Sequence, residues 1–171
     1  MRIREYRNVL QGARSKHTGE FFEKLIDASC AYYQRVGVAN IEKTPEPMKP
    51  LKPLGAGKFV AVFSKAAQPD YKGTLKGGQS VVFEAKHTDT EKLLFSRLTD
   101  EQLKQLQQHA KLGAIAFVLC SFGFERFAAI PFERWKRMKE FYGRKYITAD
   151  DLGEYEIFHE RGRLDFLSID N

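Results

Sequence analysis

Residues 68–88 read Gln68-Pro69-Asp70-Tyr71-Lys72-Gly73-Thr74-Leu75-Lys76-Gly77-Gly78-Gln79-Ser80-Val81-Val82-Phe83-Glu84-Ala85-Lys86-His87-Thr88, and the fold turns on how this stretch must lie. Its second half is an apolar run suited to a core, yet it closes on a carboxylate and an amine, whose burial without partners is costly. Side chains alternate faces along a strand, so Val81, Phe83 and Ala85 line the core while Glu84 and Lys86 project together from the other side, roughly 7 Å apart. A hairpin-like return through Gly73, Gly77 and Gly78 folds Asp70, on the preceding strand or turn, back beside them. Two carboxylates and a lysine on one patch of sheet are equipped to hold a hard divalent cation through oxygen ligands and to activate a water next to it.

Upstream of this stretch, Phe22, Leu25, Ile26, Ser29, Tyr33 and Val36 recur at three- and four-residue spacing before Gly37. That pattern predicts an amphipathic helix beginning at Thr18. Glu20 and Glu23 fall in its first turns, where carboxylates compensate the helix dipole. Ahead of it, Arg2, Arg4, Arg7, Arg14 and Lys16 stand against the single acid Glu5, which is either an ordinary solvated terminus or a basic arm over about residues 1–17 that lies along phosphates. Val38-Ala39-Asn40-Ile41 reads as a short strand. Residues 43–55 then hold four of the six prolines, together with Lys43, Lys49 and Lys52. Proline removes backbone donors, so an extended loop or projecting arm is expected over about residues 43–57. Its lysines keep it soluble or touch DNA. Lys58 to Lys65 reads as a strand leading to the Asp70 turn.

Downstream, Leu98-Thr99-Asp100-Glu101-Gln102-Leu103 starts a helix strongly, with Thr99 and Gln102 as a capping box and Leu98 stapled to Leu103. The helix turns Leu103, Leu106, His109 and Ala110 inward and ends at Gly113. Ala114 to Ser121 is nearly all apolar, as a strand covered on both faces is, and Phe124 to Ile130 alternates into another. Pro131 suits the first turn of a helix whose Trp135 reads as a core or interface aromatic and whose Arg134, Lys136, Arg137 and Lys139 face solvent. Tyr155 to Asn171 shows no clear period and is expected to pack against the body or a partner subunit.

A chain of 171 residues with 43% hydrophobic content is expected to form one domain spanning 1–171. A net charge of +6 and a pI near 9.3 fit a polyanionic partner. Cys30 and Cys120 lie in apolar settings without metal-site spacing and read as buried thiols of an intracellular protein. No apolar stretch approaches the ~20 residues of a membrane span and no signal sequence is visible, so a cytoplasmic protein with no membrane partner is expected.

The order is helix, strands carrying Asp then Glu-x-Lys, helix, strand, strand, helix. Asp70 with Glu84-x-Lys86, here with Pro69 before the aspartate, resembles the PD-(D/E)xK nucleases. The surrounding residues are more specific. Gly19-x-x-Phe22-Glu23-x-x-Ile26, Tyr32-Tyr33, Lys43-Thr44-Pro45-x-Pro47, Asp70-Tyr71-x-Gly73, Phe83-Glu84-Ala85-Lys86-x-Thr88 and Gln102 with its helix together resemble the RecU family of Holliday-junction resolvases, in the same order and over roughly residues 19–151. The resemblance implies an α/β fold with a restriction-endonuclease-like mixed β-sheet core flanked by helices. It also implies a homodimeric, metal-dependent endonuclease making paired nicks in four-way junction DNA. By motif match Glu23, Asp70, Glu84 and Lys86 are the catalytic set, with Gln102 supporting. Two departures stand out. Thr18 occupies the place of the arginine that usually precedes the family's glycine, leaving basic contacts there to Arg14, Lys16 or His17. The segment between Pro47 and Asp70 is shorter than the family's projecting stalk, as would suit a compact phage-borne relative.

The chemistry agrees with that resemblance. Three carboxylates and one lysine sum to −2, so a divalent ion is needed before a phosphate can approach. Asp70 and Glu84 are the expected direct ligands of Mg²⁺ or Mn²⁺, one or two per active site. The Ala85 carbonyl is a further ligand, and Glu23 reaches in from its helix. Lys86 orients or deprotonates the attacking water, or stabilises the charged transition state. Candidate DNA-binding cations are Arg14 and Lys16 in the arm, Lys49 and Lys52 in the proline-rich segment, Lys72 and Lys76 beside the catalytic turn, and the 134–139 helix. The alternatives are a flap- or end-processing nuclease of the same fold, and a non-catalytic DNA-binding recombination protein.

Overall fold

The structure, a computed structural model, describes residues 3–63 and 68–168, with side chains from His17 onward. Its centre is a five-stranded mixed sheet in the order β1-β4-β5-β7-β8. These strands are β1 (Ala39–Lys43), β4 (Tyr71–Leu75), β5 (Ser80–Thr88), β7 (Ile115–Phe122) and β8 (Arg126–Pro131). β4 runs antiparallel to both β1 and β5, β7 runs parallel to β5, and β8 closes antiparallel on β7. The parallel step needs a crossover, which is supplied by helix α2 (Asp100–Lys111).

Both faces of the sheet are covered. On one, helix α1 (Ile3–Arg35) lays Phe22, Ile26, Cys30 and Tyr33 over Tyr71, Val81, Phe83, Phe117 and Leu119. The C-terminal segment locks onto the same helix. Ser29 accepts a hydrogen bond from the Leu164 N–H at 2.9 Å, and Phe166 is buried against Tyr33 and Phe83. On the other face, Val82, Val118, Cys120 and Ile130 meet Leu106 of α2 and Trp135 of α3 (Phe132–Lys136). Trp135 is a core residue, as the sequence predicts, and Cys30 and Cys120 are buried and unpaired. No helix among the described residues is long and apolar enough to cross a membrane.

Gly73 decides how β1 and β4 meet. A Cβ built there would collide with the Asn40 carbonyl oxygen and with Ile41, so the two strands approach closely only because this residue has no side chain.

Three expectations change. The first helix begins at Ile3, not at Thr18. Residues 3–17 contain no proline and are rich in good helix formers, so the packed helix propagates backward at little cost; the side chains of Arg14 and Lys16 lie outside the described residues. Second, the proline-rich segment is irregular only at residues 44–47 and is a strand from Met48 onward. β2 (Met48–Gly55) and β3 (Lys58–Phe63) form a separate hairpin, with register shifts between Pro50 and Lys52 and between Pro53 and Gly55. A two-stranded ribbon has an outer edge on each strand, and irregular pairing tolerates prolines there. The predicted extension of β3 to Lys65 falls outside the described residues. Third, the helix after Pro131 is broken at Arg137, where α4 (Met138–Tyr142) begins. Three of its four cations are committed: Arg134 to Glu154 and Tyr155, Lys136 to Glu133, and Arg137 to Glu140.

Candidate active site

The antiparallel pairing of β4 with β5 ends at Tyr71 opposite Phe83. Beyond that point Asp70 takes over from the ladder, and its Oδ2 accepts a hydrogen bond from the Ala85 N–H at 3.0 Å. In a strand the N–H and C=O of one residue leave toward the same side, so the Ala85 carbonyl is directed to the Asp70 edge as well. The hairpin thus delivers the aspartate as the glycines require, with Gly77 and Gly78 at positive φ in its turn.

Glu84 and Lys86 share the face opposite Phe83, but that face is not open. Glu84 is fully buried beneath α2. Its Oε2 accepts from Lys86 Nζ at 3.0 Å and from Gln102 Nε2. The Gln102 amide is oriented from behind, because its Oε1 accepts the Thr99 N–H at 3.1 Å in the capping box that opens α2. A local helix-start signal therefore also aims a donor at the carboxylate. Lys86 lies 3.6 Å from Asp70 as well, and its side chain is 12% exposed.

Glu84 Oε1 is buried and has no hydrogen-bond partner among the described residues. Burial pushes the Glu84 carboxyl up to about 8, Lys86 opposes the rise, and Asp70 adds to it. Two neighbouring carboxylates, one with an orphaned oxygen, share the single positive charge of Lys86 and are left one charge short of neutral. A divalent cation held by Asp70, Glu84 and the Ala85 carbonyl fits that deficit, being a hard ion with oxygen ligands. Among the described residues, however, no group of three or more carboxylate, imidazole or thiol side chains stands ready to hold a metal. Glu23, the third predicted carboxylate, is ion-paired with Lys43 at 2.6 Å. The fold brings Asp70, Glu84, Lys86 and Gln102 together and leaves Glu23 on β1's lysine.

Glu23, Ala85 and Lys86 line one end of a cleft of about 670 Å³. Two further residues, outside the predicted catalytic set, shape the site. Tyr71 is buried and donates to Asp27 Oδ1 at 2.8 Å, while its hydroxyl lies 3.3 Å from the Glu23 carbonyl, fixing this turn of α1 against β4. His87 stacks on Phe124 at 4.1 Å and is held between Ser121 and Asp89, each at 3.0 Å. The strand alternation that places Lys86 on one face places His87 on the other, and a polar residue on a core face is the signal that marks it.

Of the predicted DNA-binding cations, Lys49 and Lys52 are exposed on β2, and Lys72 donates back to Gln68, beside the turn that carries Asp70, at 2.7 Å. Lys76 does not adjoin that turn. It sits in the hairpin turn at the other end of β4, roughly 15–20 Å from Asp70 at a rise of about 3.3 Å per residue. Sequence proximity misled here because the two residues bracket an extended strand.

A mixed sheet with α1 on one face and α2 on the other, carrying Asp70 and Glu84-x-Lys86 on adjacent strands, defines a restriction-endonuclease-like nuclease core. The family described as Recombination protein U matches residues 17–170. The chain belongs to that family. Among its relatives, the "Holliday junction resolvase RecU" of Pediococcus pentosaceus is 32% identical over 150 residues, covering 84% of this chain and 73% of the relative. The protein of the same name from Bacillus pumilus is 29% identical over 163 residues, covering 88% and 78%. Among solved structures, the Holliday junction resolvase Hjc of Archaeoglobus fulgidus aligns with a TM-score of 0.44 at 20% identity, over 67% of this chain and 78% of that one.

Proposed function

We propose that this protein is a structure-selective endonuclease that resolves four-way DNA junctions, acting as a homodimer that nicks two opposed strands by metal-dependent phosphodiester hydrolysis. Family membership supports the substrate, and the orphaned, buried Oε1 of Glu84 facing Asp70 carries the chemistry. A non-catalytic DNA-binding protein gains nothing from burying a carboxylate where phosphates must approach. Symmetric nicking needs two active sites, hence the dimer.

Asp70, Glu84 and the Ala85 carbonyl would hold Mg²⁺ or Mn²⁺, with Glu23 joining on release from Lys43. The ion supplies Lewis-acid stabilisation of phosphoryl oxygens and an acidified water. Gln102 keeps the Glu84 carboxylate in one orientation. Lys86, a cation at the cleft wall flanked by both acids, offers positive charge to the oxygens that become negative in the transition state. The packing of α1 and α2 over the two faces keeps this set rigid, which is what electrostatic preorganisation requires.

The test uses a synthetic four-way junction with each strand labelled in turn, with Mg²⁺ or EDTA, beside linear duplex and flap substrates. Symmetric, Mg²⁺-dependent nicks in opposed strands of the junction are expected. Equal cutting of flaps or ends would remove the junction assignment, and binding without cutting under Mg²⁺ or Mn²⁺ would remove the catalytic one.

A further inference from the structure

The cleft that begins at Glu23 and Lys86 does not stop there. It continues past Thr88 and Thr90 to Lys92 and Arg97, which lie on strand β6 (Lys92–Leu94) and the 3-10 turn Phe95–Arg97. Neither cation has a carboxylate partner among the described residues, and both are exposed. This sets them apart from Arg126, Arg134, Lys136, Arg137 and Arg144, each of which is ion-paired.

Both are also held in place. The Thr88 and Thr90 hydroxyls donate to the Lys92 carbonyl at 3.3 and 3.0 Å, closing the turn that leads into β6. β6 pairs with β9 (Tyr146–Thr148), and the Lys92 ammonium rests over the Tyr146 ring at 4.8 Å. Arg97 donates from one guanidinium nitrogen to the His87 carbonyl at 3.2 Å. That bond ties it to the strand that carries Lys86. The nearby acids are occupied or turned elsewhere: Asp89 is on His87, Asp151 is on Arg144, and Glu91 does not line the cleft. A guanidinium with spare donors and an ammonium braced on an aromatic ring, both lining one groove, suit successive phosphates. From Lys86 to Thr88 is about 7 Å along β5, and a duplex strand rises about 3.4 Å per phosphate. Because Arg97 is bonded to the His87 carbonyl, one residue along β5 from Lys86, this end of the cleft meets a phosphate close to the one beside the catalytic carboxylates.

Resting on the nuclease reading above, we infer that Lys92 and Arg97 form a phosphate clamp that seats the strand on one side of the scissile bond and so sets which phosphate enters the catalytic cluster. They are positioning residues; neither touches the reacting atoms.

The test has two arms. First, junction binding is titrated with salt in EDTA for the wild type, for the Lys92→Ala/Arg97→Ala double variant, and for Lys111→Ala, a charge control at the end of α2 away from Gln102. The double variant should lose about two units of the log–log salt slope, at roughly 0.9 per phosphate contact, and Lys111→Ala should stay near the wild type. Second, junctions carrying one neutral methylphosphonate at successive positions around the cut are cleaved in Mg²⁺. Neutralising a phosphate one or two positions from the cut, on one side only, should slow the wild type about tenfold or more and slow the double variant no further. The clamp is overturned if the double variant keeps the salt slope of Lys111→Ala, or if every methylphosphonate penalty adds fully to the loss in the variant. If the wild type binds junctions without cutting them, the nuclease reading fails and the salt slopes alone decide the clamp. If it binds no junction DNA, both fall.

Discussion

Lysines on two strands of this protein are built on opposite terms. Lys86 of β5 is nearly buried, lies 3.0 Å from Glu84 and 3.6 Å from Asp70, and shares Glu84 with Gln102. Lys49 and Lys52 of β2 stand on a hairpin whose residues are all exposed, with no carboxylate at ion-pair distance among the described residues. The first arrangement takes on the desolvation of a charge cluster and gains a fixed geometry, as preorganised catalysis demands. The second costs little desolvation and offers charge to any phosphate that comes near. Changes in β5 should therefore act on turnover, and changes in β2 on affinity and its salt dependence.

The largest separation should come from Glu84→Ala. Removing the one fully buried carboxylate among the described residues should lower junction cleavage by about 10³-fold or more, the scale at which losing a metal ligand or a preorganised charge is felt. Binding to the uncut junction in EDTA should change by less than about threefold. A variant that loses binding in proportion to cleavage would erase the division between the two strands.

The same carboxylate should set the pH response of the metal-free protein. Its folded-state value is raised from the ordinary 4.5 to about 8 by burial, so between those limits folding takes up a proton that unfolding releases. The contribution is fully present below about 4.5 and is lost as pH rises through about 8. Urea unfolding across that window should show stability falling with pH, and Glu84→Gln should flatten the fall. Mg²⁺ should flatten it too, by binding the charged form. An unchanged slope in Glu84→Gln would show that Glu84 does not titrate in this way.

Gln102→Ala tests whether rigidity around Glu84 matters beyond the ligands themselves. The variant leaves the acids and Lys86 in place but removes the donor on Oε2, and outer-shell losses of this kind cost about 10–100-fold in metal affinity or activity. The expected signature is a raised Mg²⁺ requirement with partial recovery at high Mg²⁺. On the other strand, the Lys49→Ala/Lys52→Ala pair should weaken junction binding about tenfold at moderate salt and reduce the salt slope, with turnover at saturating protein within about twofold of the wild type. Turnover loss in that pair would mean that the hairpin shapes the reacting complex as well as recruiting it.

How much of this was legible depended on how local the cause was. The alternation of Val81, Phe83 and Glu84, the glycine-rich return that brings back Asp70, and the Thr99–Gln102 capping box are short-range patterns, and each places its residues as read. The burial of Glu84 was not readable, because it depends on α2 closing over the second face of the sheet after a parallel crossover. Nor was the Glu23–Lys43 pair, which needs α1 and β1 to be brought side by side. The hairpin at Met48–Phe63 hid behind its prolines, which argue against regular structure in a sheet interior but not on a two-stranded ribbon. Lys92 and Arg97 carry no motif at all. They reach the cleft because β6 pairs with β9, from a distant part of the chain.

Lys72 and Lys76 give the smallest and most discriminating comparison. They lie close together in sequence, at formal charges that are identical, and a reading by proximity assigns both to the catalytic turn. β4 separates them: Lys72 bonds to Gln68, two residues before Asp70, whereas the Lys76 backbone N–H bonds to the Val38 carbonyl at the opposite end of the sheet. Both remove one positive charge from the protein, so any effect of net charge alone must appear equally in the two variants. Lys72→Ala should weaken junction binding about two- to threefold and lower the salt slope by up to about one phosphate contact. Lys76→Ala should leave both within error of the wild type. Equal losses would mean that the junction's arms spread over the whole sheet end to end, and that the division drawn between strands for chemistry and strands for contact holds only for β5.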